Sequence, residues 1–280
     1  MGLFDWLFGA PPTSGTCGEN LSWEIKNNST LLIIGTGKMK DYENTDIYTG
    51  GYDVNTPWCD SCFSIKKIII HDGITSIGDY AFHGCQRLTE ITIPDSVASI
   101  GRNAFSWCCS GLKKITIPDS VTFIGEWAFE SCQNLTEITI PSGVTSISSV
   151  IFRRCENLVK VSLPDGIIFI GSEAFSDCKR LAKINISDSV TTIGRSAFNG
   201  CESLTEITIP DSVTSIGEWA FGECKSLKEI RLSKNLKSVG ANIFFQCESL
   251  EKIYYPGGLG FERALIEGNN AVLIPYEKMS

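Results

Sequence analysis

The sequence predicts a repeat solenoid, in which successive coils of equal length stack on one another. A 23-residue unit, C-x-x-L-x-x-I-x-I-P-x-x-V-x-x-I-G-x-x-A-F-x-x, recurs along most of the 280-residue chain. Self-similarity at a fixed period in this range is the sequence signature of stacked repeats. The eight full copies begin at Cys62, Cys85, Cys109, Cys132, Cys155, Cys178, Cys201 and Cys224. A partial ninth copy begins at Cys247, and we interpret Cys108 as one inserted residue before Cys109.

The elements of one unit follow in order from the copy CESLTEITIPDSVTSIGEWAF. Apolar and polar residues alternate around Ile207 and Ile209, and β-branched residues dominate there, as in a β-strand. Pro210 then ends the strand because it has no N–H to donate to a neighbour. The Asp-Ser pair that follows is typical of a turn, and V-x-x-I returns the chain to the interior. Gly217 permits a tight corner, and Phe221 places a ring in the core.

The recurring cysteine is predicted to be a packing residue. A single coil cannot bury enough apolar surface to offset the entropy lost on ordering, so the coils must stack. Residues at the same position then form a ladder with a spacing of roughly 4.8 Å. A reduced cysteine suits a narrow inward corner because it behaves as a small apolar side chain. Partial disulfide formation, and metal or redox chemistry, remain as alternatives to this reduced ladder.

Four segments are predicted. Residues 1–15 form an N-terminal tail, 16–58 a β-rich capping module, 59–256 the repeats, and 257–280 a C-terminal cap. The tail, MGLFDWLFGAPP, is either an apolar turn docked on the body or an anchor at a membrane interface.

Composition disfavours several classes of partner. The formal net charge is −8, with 24 basic and 32 acidic residues, and no basic block is present. Nucleic acid is therefore a poor candidate, because binding to phosphates needs clustered Lys and Arg. No apolar stretch is long enough to span a membrane, and no signal peptide is visible at the N-terminus.

Candidate catalytic or metal-binding groups are scarce. The motif Cys59-x-x-Cys62 lacks the second pair of ligands that a zinc site needs, and we interpret Trp58–Cys59 as a cap on the first coil. The chain has two histidines, and His83 is predicted on an outer corner, away from the buried thiol of Cys85. Gly35-Thr36-Gly37-Lys38 lacks the spacing of a phosphate-binding loop and predicts a hairpin turn. We therefore expect no catalytic residues, no cofactor and no metal.

The repeat unit resembles the leucine-rich repeats of the BspA-like class, also called Treponema-type repeats, over about residues 62–256. The flanking segments 16–42 and 254–276 are similar to the β-rich module and the closing cap that accompany such repeats. The resemblance implies a right-handed coil with a parallel β-sheet on the concave face. It also implies a binding or adhesive role at a bacterial or protist surface and no catalytic residues. Surface or secreted localisation follows from the resemblance, whereas a cytoplasmic protein is expected if Met1 is the native start.

The outward side chains of the predicted sheet are the candidate contact residues. One row is rich in hydroxyl groups, and a second row mixes Lys and Glu so that neighbouring coils can form ion pairs. Arg231, Tyr254 and Tyr255 break the pattern at the C-terminal end, which makes that end the better candidate for strong contacts. Trp127 and Trp219 occupy an outer position, where they either contact a partner or pack over a neighbouring coil. The candidate partner-binding residues are Thr92, Thr116, Thr139, Thr208, Arg231, Tyr254, Trp127 and Trp219.

The sequence thus favours a non-enzymatic interaction module, which we expect to be monomeric and to bind a protein or glycan ligand by adhesion or surface recognition. An intracellular protein-interaction scaffold is the alternative, supported by the thiol-rich core. An enzyme with a site in the N-terminal module is the remote alternative.

Overall fold

A computed structural model of the chain describes residues 12–44, 54–108, 111–258, 260 and 262–278. Most of the predicted N-terminal tail, and Cys109, lie outside these residues. The described chain is a parallel β-solenoid of about nine turns with little helix, which confirms the predicted fold class.

The N-terminal module belongs to the same stack as the repeats. Strands β1 (Ser14–Gly18), β2 (Leu21–Lys26) and β3 (Thr30–Gly35) are antiparallel, and β3 pairs in parallel with β5 (Lys67–Ile70) of the first repeat. Strand β4 (Gly37–Lys38) pairs in parallel with β6 (Ile74–Ile77). Because β3 and β4 lie in different sheets, the Gly35–Lys38 segment is a corner between sheets. The predicted hairpin turn is wrong.

Most repeats contribute a strand to a first parallel sheet at the L-x-x-I-x-I segment. The further strands of this first sheet are β7 (Glu90–Thr92), β10 (Glu137–Thr139), β12 (Lys160–Ser162), β15 (Glu206–Thr208), β17 (Glu229–Arg231) and β19 (Lys252–Tyr255). Neighbouring strands pair at the 23-residue offset of the repeat, as between Ile207 and Ile230. The equivalent segments 114–116 and 183–185 form no strand, although Lys114 and Glu137 form a parallel bridge.

The V-x-x-I segments form a second parallel sheet, where the sequence predicted only an inward return of the chain. The further strands of this second sheet are β8 (Ser99–Ile100), β9 (Phe123–Ile124), β11 (Ser146–Ile147), β13 (Phe169–Ile170), β14 (Thr192–Ile193), β16 (Ser215–Ile216) and β18 (Ser238–Val239). The isoleucines of these strands are buried, whereas Val239 of β18 is half-buried, and the residue before each of them is at least partly exposed. Backbone hydrogen bonds between strands thus tie many neighbouring coils together on two sides.

The C-terminal segment closes the first sheet. Strand β20 (Val272–Pro275) pairs in parallel with β19, so it acts as a further rung after the last repeat. The short helix α1 (Glu262–Ile266) precedes this strand and buries Leu265. Among the described helices, none has the length and apolar character needed to cross a membrane.

A column of aromatic rings forms the centre of the core. The phenylalanine of each A-F step is fully buried and stacks on that of the next coil, with ring centroids 5.3–5.7 Å apart. The stacked rings belong to Phe82, Phe105, Phe129, Phe152, Phe175, Phe198, Phe221 and Phe244. Trp58 begins the column, since it stacks on Phe82 and donates a 2.9 Å hydrogen bond to the Ala81 carbonyl. This confirms the prediction that Trp58 caps the first coil.

The cysteine ladder packs beside this column with buried thiols. The thiol of Cys178 donates a 3.2 Å hydrogen bond to the carbonyl of Phe152, and six other repeat cysteines repeat this contact at 3.0–3.3 Å. Burial raises the pKa of Cys178 well above its ordinary value, so the thiol stays protonated. This contact accounts for the fixed position of the cysteine in the repeat, since its thiol reaches the phenylalanine carbonyl of the preceding coil. Cys108 makes this contact with Phe82, so the interpretation of Cys108 as the inserted residue is wrong.

The repeat glycine is required by the close approach of adjacent coils. Gly217 does not have a positive φ angle, but a Cβ atom there would lie 2.5 Å from the backbone nitrogen of Arg195. It would also lie 2.7 Å from the carbonyl carbon of Gly194. Ser148 takes the same position in another coil and donates a 2.5 Å hydrogen bond to the Ile124 carbonyl, so a rung can adapt to a small side chain.

We expect Gly217→Ala to destabilise the protein. The added methyl group forces the two coils apart at a cost of about 1–3 kcal/mol, which the stiffer unfolded chain offsets in part, leaving a net loss of about 1–2 kcal/mol. Urea denaturation followed by circular dichroism measures the change. Gly166→Ala is the matched control, because a Cβ atom at Gly166 meets nothing within 4 Å. Equal stabilities of the two variants would show that coil spacing does not depend on the glycine.

Candidate functional site

The hydroxyl-rich row lies on the outer surface of the first sheet. The side chains of Thr92, Thr116, Thr139 and Thr208 are all exposed. Because the strands are parallel and offset by one repeat, equivalent residues stand side by side, as Thr208 stands next to Arg231. The predicted threonines therefore form one continuous row along the solenoid.

A row of charged side chains runs beside the threonines. Lysine and glutamate of adjacent coils form ion pairs at 2.8 Å for Lys67 and Glu90, and at 2.7 Å for Lys183 and Glu206. The hydrogen bond from Lys183 holds the pKa of Glu206 below its ordinary value. Lys114 and Glu137 form a third pair at 2.8 Å. The predicted pairing across coils is confirmed, and it leaves much of this row internally neutralised.

Shallow depressions occur along the first sheet, beside the threonine row. One depression, of about 370 Å³, is lined by Thr116, Thr139 and Ser162 and by the charged residues beside them, Lys114, Glu137 and Lys160. A second, of about 390 Å³, is lined by Thr208, Asn185 and neighbouring residues. A third, of about 420 Å³, adjoins Thr92. Such depressions can accept side chains of an extended or convex partner laid across the sheet.

An arginine held between two tyrosines marks the C-terminal end of the row. The Arg231 guanidinium carbon lies 5.4 Å from the centre of the Tyr254 ring and 5.6 Å from that of Tyr276. The Tyr276 hydroxyl donates a hydrogen bond to the Leu232 carbonyl, which fixes the ring against the strand. Burial raises the pKa of Tyr276 to about 12, although the Arg231 charge acts in the opposite direction. The phenol is therefore neutral at physiological pH.

Two residues of this end differ from expectation. Tyr255, which the sequence places with the contact residues, is buried in the isoleucine row of the core. Tyr276 was not predicted, because it lies in the C-terminal cap, outside the repeat. No periodic signal marks Tyr276, and only the pairing of β20 with β19 brings it beside Arg231.

The family model described as the BspA type leucine rich repeat region, with six copies, matches residues 54–182 and 145–262. These two ranges together span most of the chain. The chain belongs to the BspA-type leucine-rich repeat family. Proteins built from such repeats serve as protein-interaction modules, and membership of the family implies this general role for the chain.

Several solved structures of leucine-rich repeat proteins are similar to this BspA-type chain in sequence and fold. A leucine-rich repeat protein from Eubacterium ventriosum is 26% identical with a TM-score of 0.51, covering 94% of this chain and 86% of its own. A leucine rich cell surface protein from Faecalibacterium prausnitzii is 24% identical with a TM-score of 0.43, covering 95% and 96%. The pneumococcal vaccine antigen PcpA is 17% identical with a TM-score of 0.47, covering 92% and 98%. A search of curated proteins found no match.

The two predicted tryptophans of this BspA-type protein lie apart from the threonine row, on the turns that follow the second sheet. Both are half-buried, with left-handed backbone angles. The Arg102 guanidinium carbon lies 4.4 Å from the centre of the Trp127 ring, and the Trp219 ring lies 4.9 Å from that of Phe245. Each tryptophan thus packs over a neighbouring coil, and the structure divides the predicted site residues between two surfaces.

The N-terminal module contains the cavity that bears on the remote enzyme alternative. This cavity of about 520 Å³ is lined by Cys17, Tyr42 and Lys40 among others. Burial raises the pKa of the Cys17 thiol to about 11, so it is protonated at neutral pH and is a poor nucleophile. His83, predicted on an outer corner, is instead buried. Among the described residues, no group of three or more His, Cys, Asp or Glu side chains could hold a metal ion.

Proposed function

We propose that this chain is a non-enzymatic module that binds a protein partner across the first sheet, in an adhesive or surface-recognition role. The observation that carries the proposal is the cluster of Arg231, Tyr254 and Tyr276 at one end of an exposed threonine row. Arginine and tyrosine are enriched among the residues that dominate binding energy at interfaces. The adjacent depressions and the internally neutralised charge row supply a broad surface of low net charge around that cluster.

Photo-crosslinking tests whether the first sheet is the contact face. A photoreactive benzophenone amino acid is placed at Thr139 or Thr208 on the first sheet, and at the exposed Thr145 beside the second sheet as a matched control. We expect partner crosslinks from the first two positions only. Crosslinks of equal yield from Thr145 would place the contact surface elsewhere.

We expect the double variant Arg231→Ala, Tyr254→Ala to weaken partner binding by roughly thirtyfold or more, because it removes the central cluster. Titration of the crosslinked partner, once purified, measures the dissociation constant. The melting temperature serves as the control for folding and should change little, since Arg231 is exposed and Tyr254 is half-buried. Unchanged affinity in the double variant would contradict this location of the strong contacts.

An intracellular scaffold is the second candidate, and the buried, protonated thiols of repeat cysteines such as Cys178 favour it. Disulfides are rare in reducing compartments, where buried thiols persist. Protease treatment of intact source cells separates the two roles. Release of peptides from the 132–221 coils, with cytosolic marker proteins retained, would support the surface role. Recovery of these peptides only after cell lysis would support the scaffold.

A further inference from the structure

The arginine of the C-terminal cluster is held in place by its neighbours within the protein. Arg231 on β17 stands next to Tyr254 on β19, and Tyr276 flanks the same guanidinium after β20. A guanidinium stacked on aromatic faces is stabilised by cation–π attraction and loses less conformational freedom on binding. The hydrogen bond from Tyr276 to the Leu232 carbonyl holds the second ring in position.

The donors of this guanidinium are not used within the described chain. Arg231 has no ion pair and donates no side-chain hydrogen bond to any described residue. The neighbouring Glu229 faces Lys252 in the strand register, and Asp211 lies 3.5 Å from the Lys234 ammonium group. Acidic residues are therefore present near Arg231, but its guanidinium forms no ion pair with a described residue.

Arg153 shows how a structural arginine differs in this fold. Its guanidinium donates to Glu130 at 2.5 Å and to Glu173 at 2.8 Å, so its charge is neutralised between coils. Arg231 instead keeps its charge unpaired on an exposed surface, at a position where most other coils carry Thr, Ser or Asn. The unpaired planar fork is suited to a carboxylate, which accepts two parallel N–H bonds.

We infer, on the basis of the proposed function, that Arg231, beside Tyr254 and Tyr276, binds the isolated Asp or Glu carboxylate of an extended peptide. Thr208 stands beside Arg231 in register, and its depression of about 390 Å³ receives the next part of the peptide along the row. The neighbouring charge row supplies little attraction for further acids, since Lys183 is paired with Glu206 at 2.7 Å, and the chain as a whole carries a net charge of −8. A polyanion or a run of acidic residues is therefore repelled, whereas one isolated carboxylate is accepted.

An array of short peptides with blocked termini tests this inference. Each peptide contains a single Asp or Glu and is paired with a copy that has Asn or Gln instead. We expect wild-type protein to bind a subset of the acidic peptides at least roughly tenfold more tightly than their amide copies. Fluorescence anisotropy measures the affinity of the peptides selected.

Variants assign the carboxylate to Arg231. Arg231→Gln should abolish the difference between acid and amide copies, and Arg231→Lys should restore only part of it because the planar fork is lost. Arg195→Gln is the matched control, since Arg195 is 69% exposed and lies 3.9 Å from its partner Glu218. The Arg231 Nε–H signal in nuclear magnetic resonance spectra, assigned by its absence in Arg231→Lys, should shift on peptide addition.

Several outcomes would overturn the inference. These are acid and amide copies that bind alike, acid-dependent binding that survives in Arg231→Gln, and an absence of acid-dependent binding at millimolar peptide. Acid-dependent capture of glucuronic or sialic acid oligosaccharides, but not peptides, would also overturn it in favour of a glycan ligand. Partner crosslinks from Thr208 that persist in Arg231→Gln would retain the proposed function and reject only the carboxylate site.

Discussion

Phe175→Ala should remove about 3–5 kcal/mol from the free energy of unfolding, the largest loss expected from a single substitution in this chain. The Phe175 ring is fully buried, and it stacks on those of Phe152 and Phe198 at 5.5 and 5.3 Å. Truncation leaves a cavity in the middle of the column, which adjacent coils cannot close because backbone hydrogen bonds fix their spacing. Phe175 itself donates such a bond to Ala197 at 2.8 Å.

Denaturant titration of Phe175→Ala and Phe169→Ala measures this effect against a matched control. Phe169 lies six residues before Phe175 in the same coil, but its side chain is 38% exposed on the second sheet. We expect Phe169→Ala to cost less than about 1 kcal/mol. Equal losses in the two variants would show that the ring column is not the main source of stability. A solenoid couples only neighbouring coils, so the central cavity should also broaden the unfolding transition.

Acidification should destabilise the protein through His83. The His83 side chain is 8% exposed, and its Nδ1 atom lies 2.5 Å from the Ser106 hydroxyl oxygen. Burial lowers the pKa of His83 from 6.5 to about 4. Between these values the unfolded chain binds a proton that the folded chain does not. The stabilisation is therefore complete above about pH 6.5, falls as the pH drops towards 4, and totals about 3 kcal/mol.

Comparison of variants isolates this contribution from that of the carboxylates. Asparagine is a natural residue at this repeat position, since Asn199 occupies it in another coil. When the pH falls from about 7 to 4.5, the His83→Asn variant should lose about 2 kcal/mol less stability than the wild type. His71→Asn, at the exposed histidine, is the control and should keep the wild-type pH dependence. Identical pH profiles for His83→Asn and wild type would mean that His83 is accessible to protons in the folded state.

The local sequence pattern was sufficient to predict a structural feature where a single side chain in each repeat determines that feature. The alternation around Ile207 predicted a strand, Trp58 was predicted to cap the first coil, and the Lys-Glu row predicted ion pairs between coils. Pattern was insufficient where the cause lies in a neighbouring coil. Gly217 was interpreted as a corner residue, but the backbone of Arg195 determines the need for glycine there. Cys108 and Cys109 are indistinguishable in sequence, and only the Phe82 carbonyl selects Cys108.

The sequence by itself determined the solenoid, its period and its apolar interior, because each repeat carries the full alternation of inward and outward residues. The tertiary structure alone decided which surface residues lie together. It separated Trp127 and Trp219 from the threonine row, buried Tyr255, and brought Tyr276 of the cap to Arg231 of a repeat. Such contacts join positions 45 residues apart through the pairing of β19 with β20, and a periodic pattern contains no information about a contact outside its period.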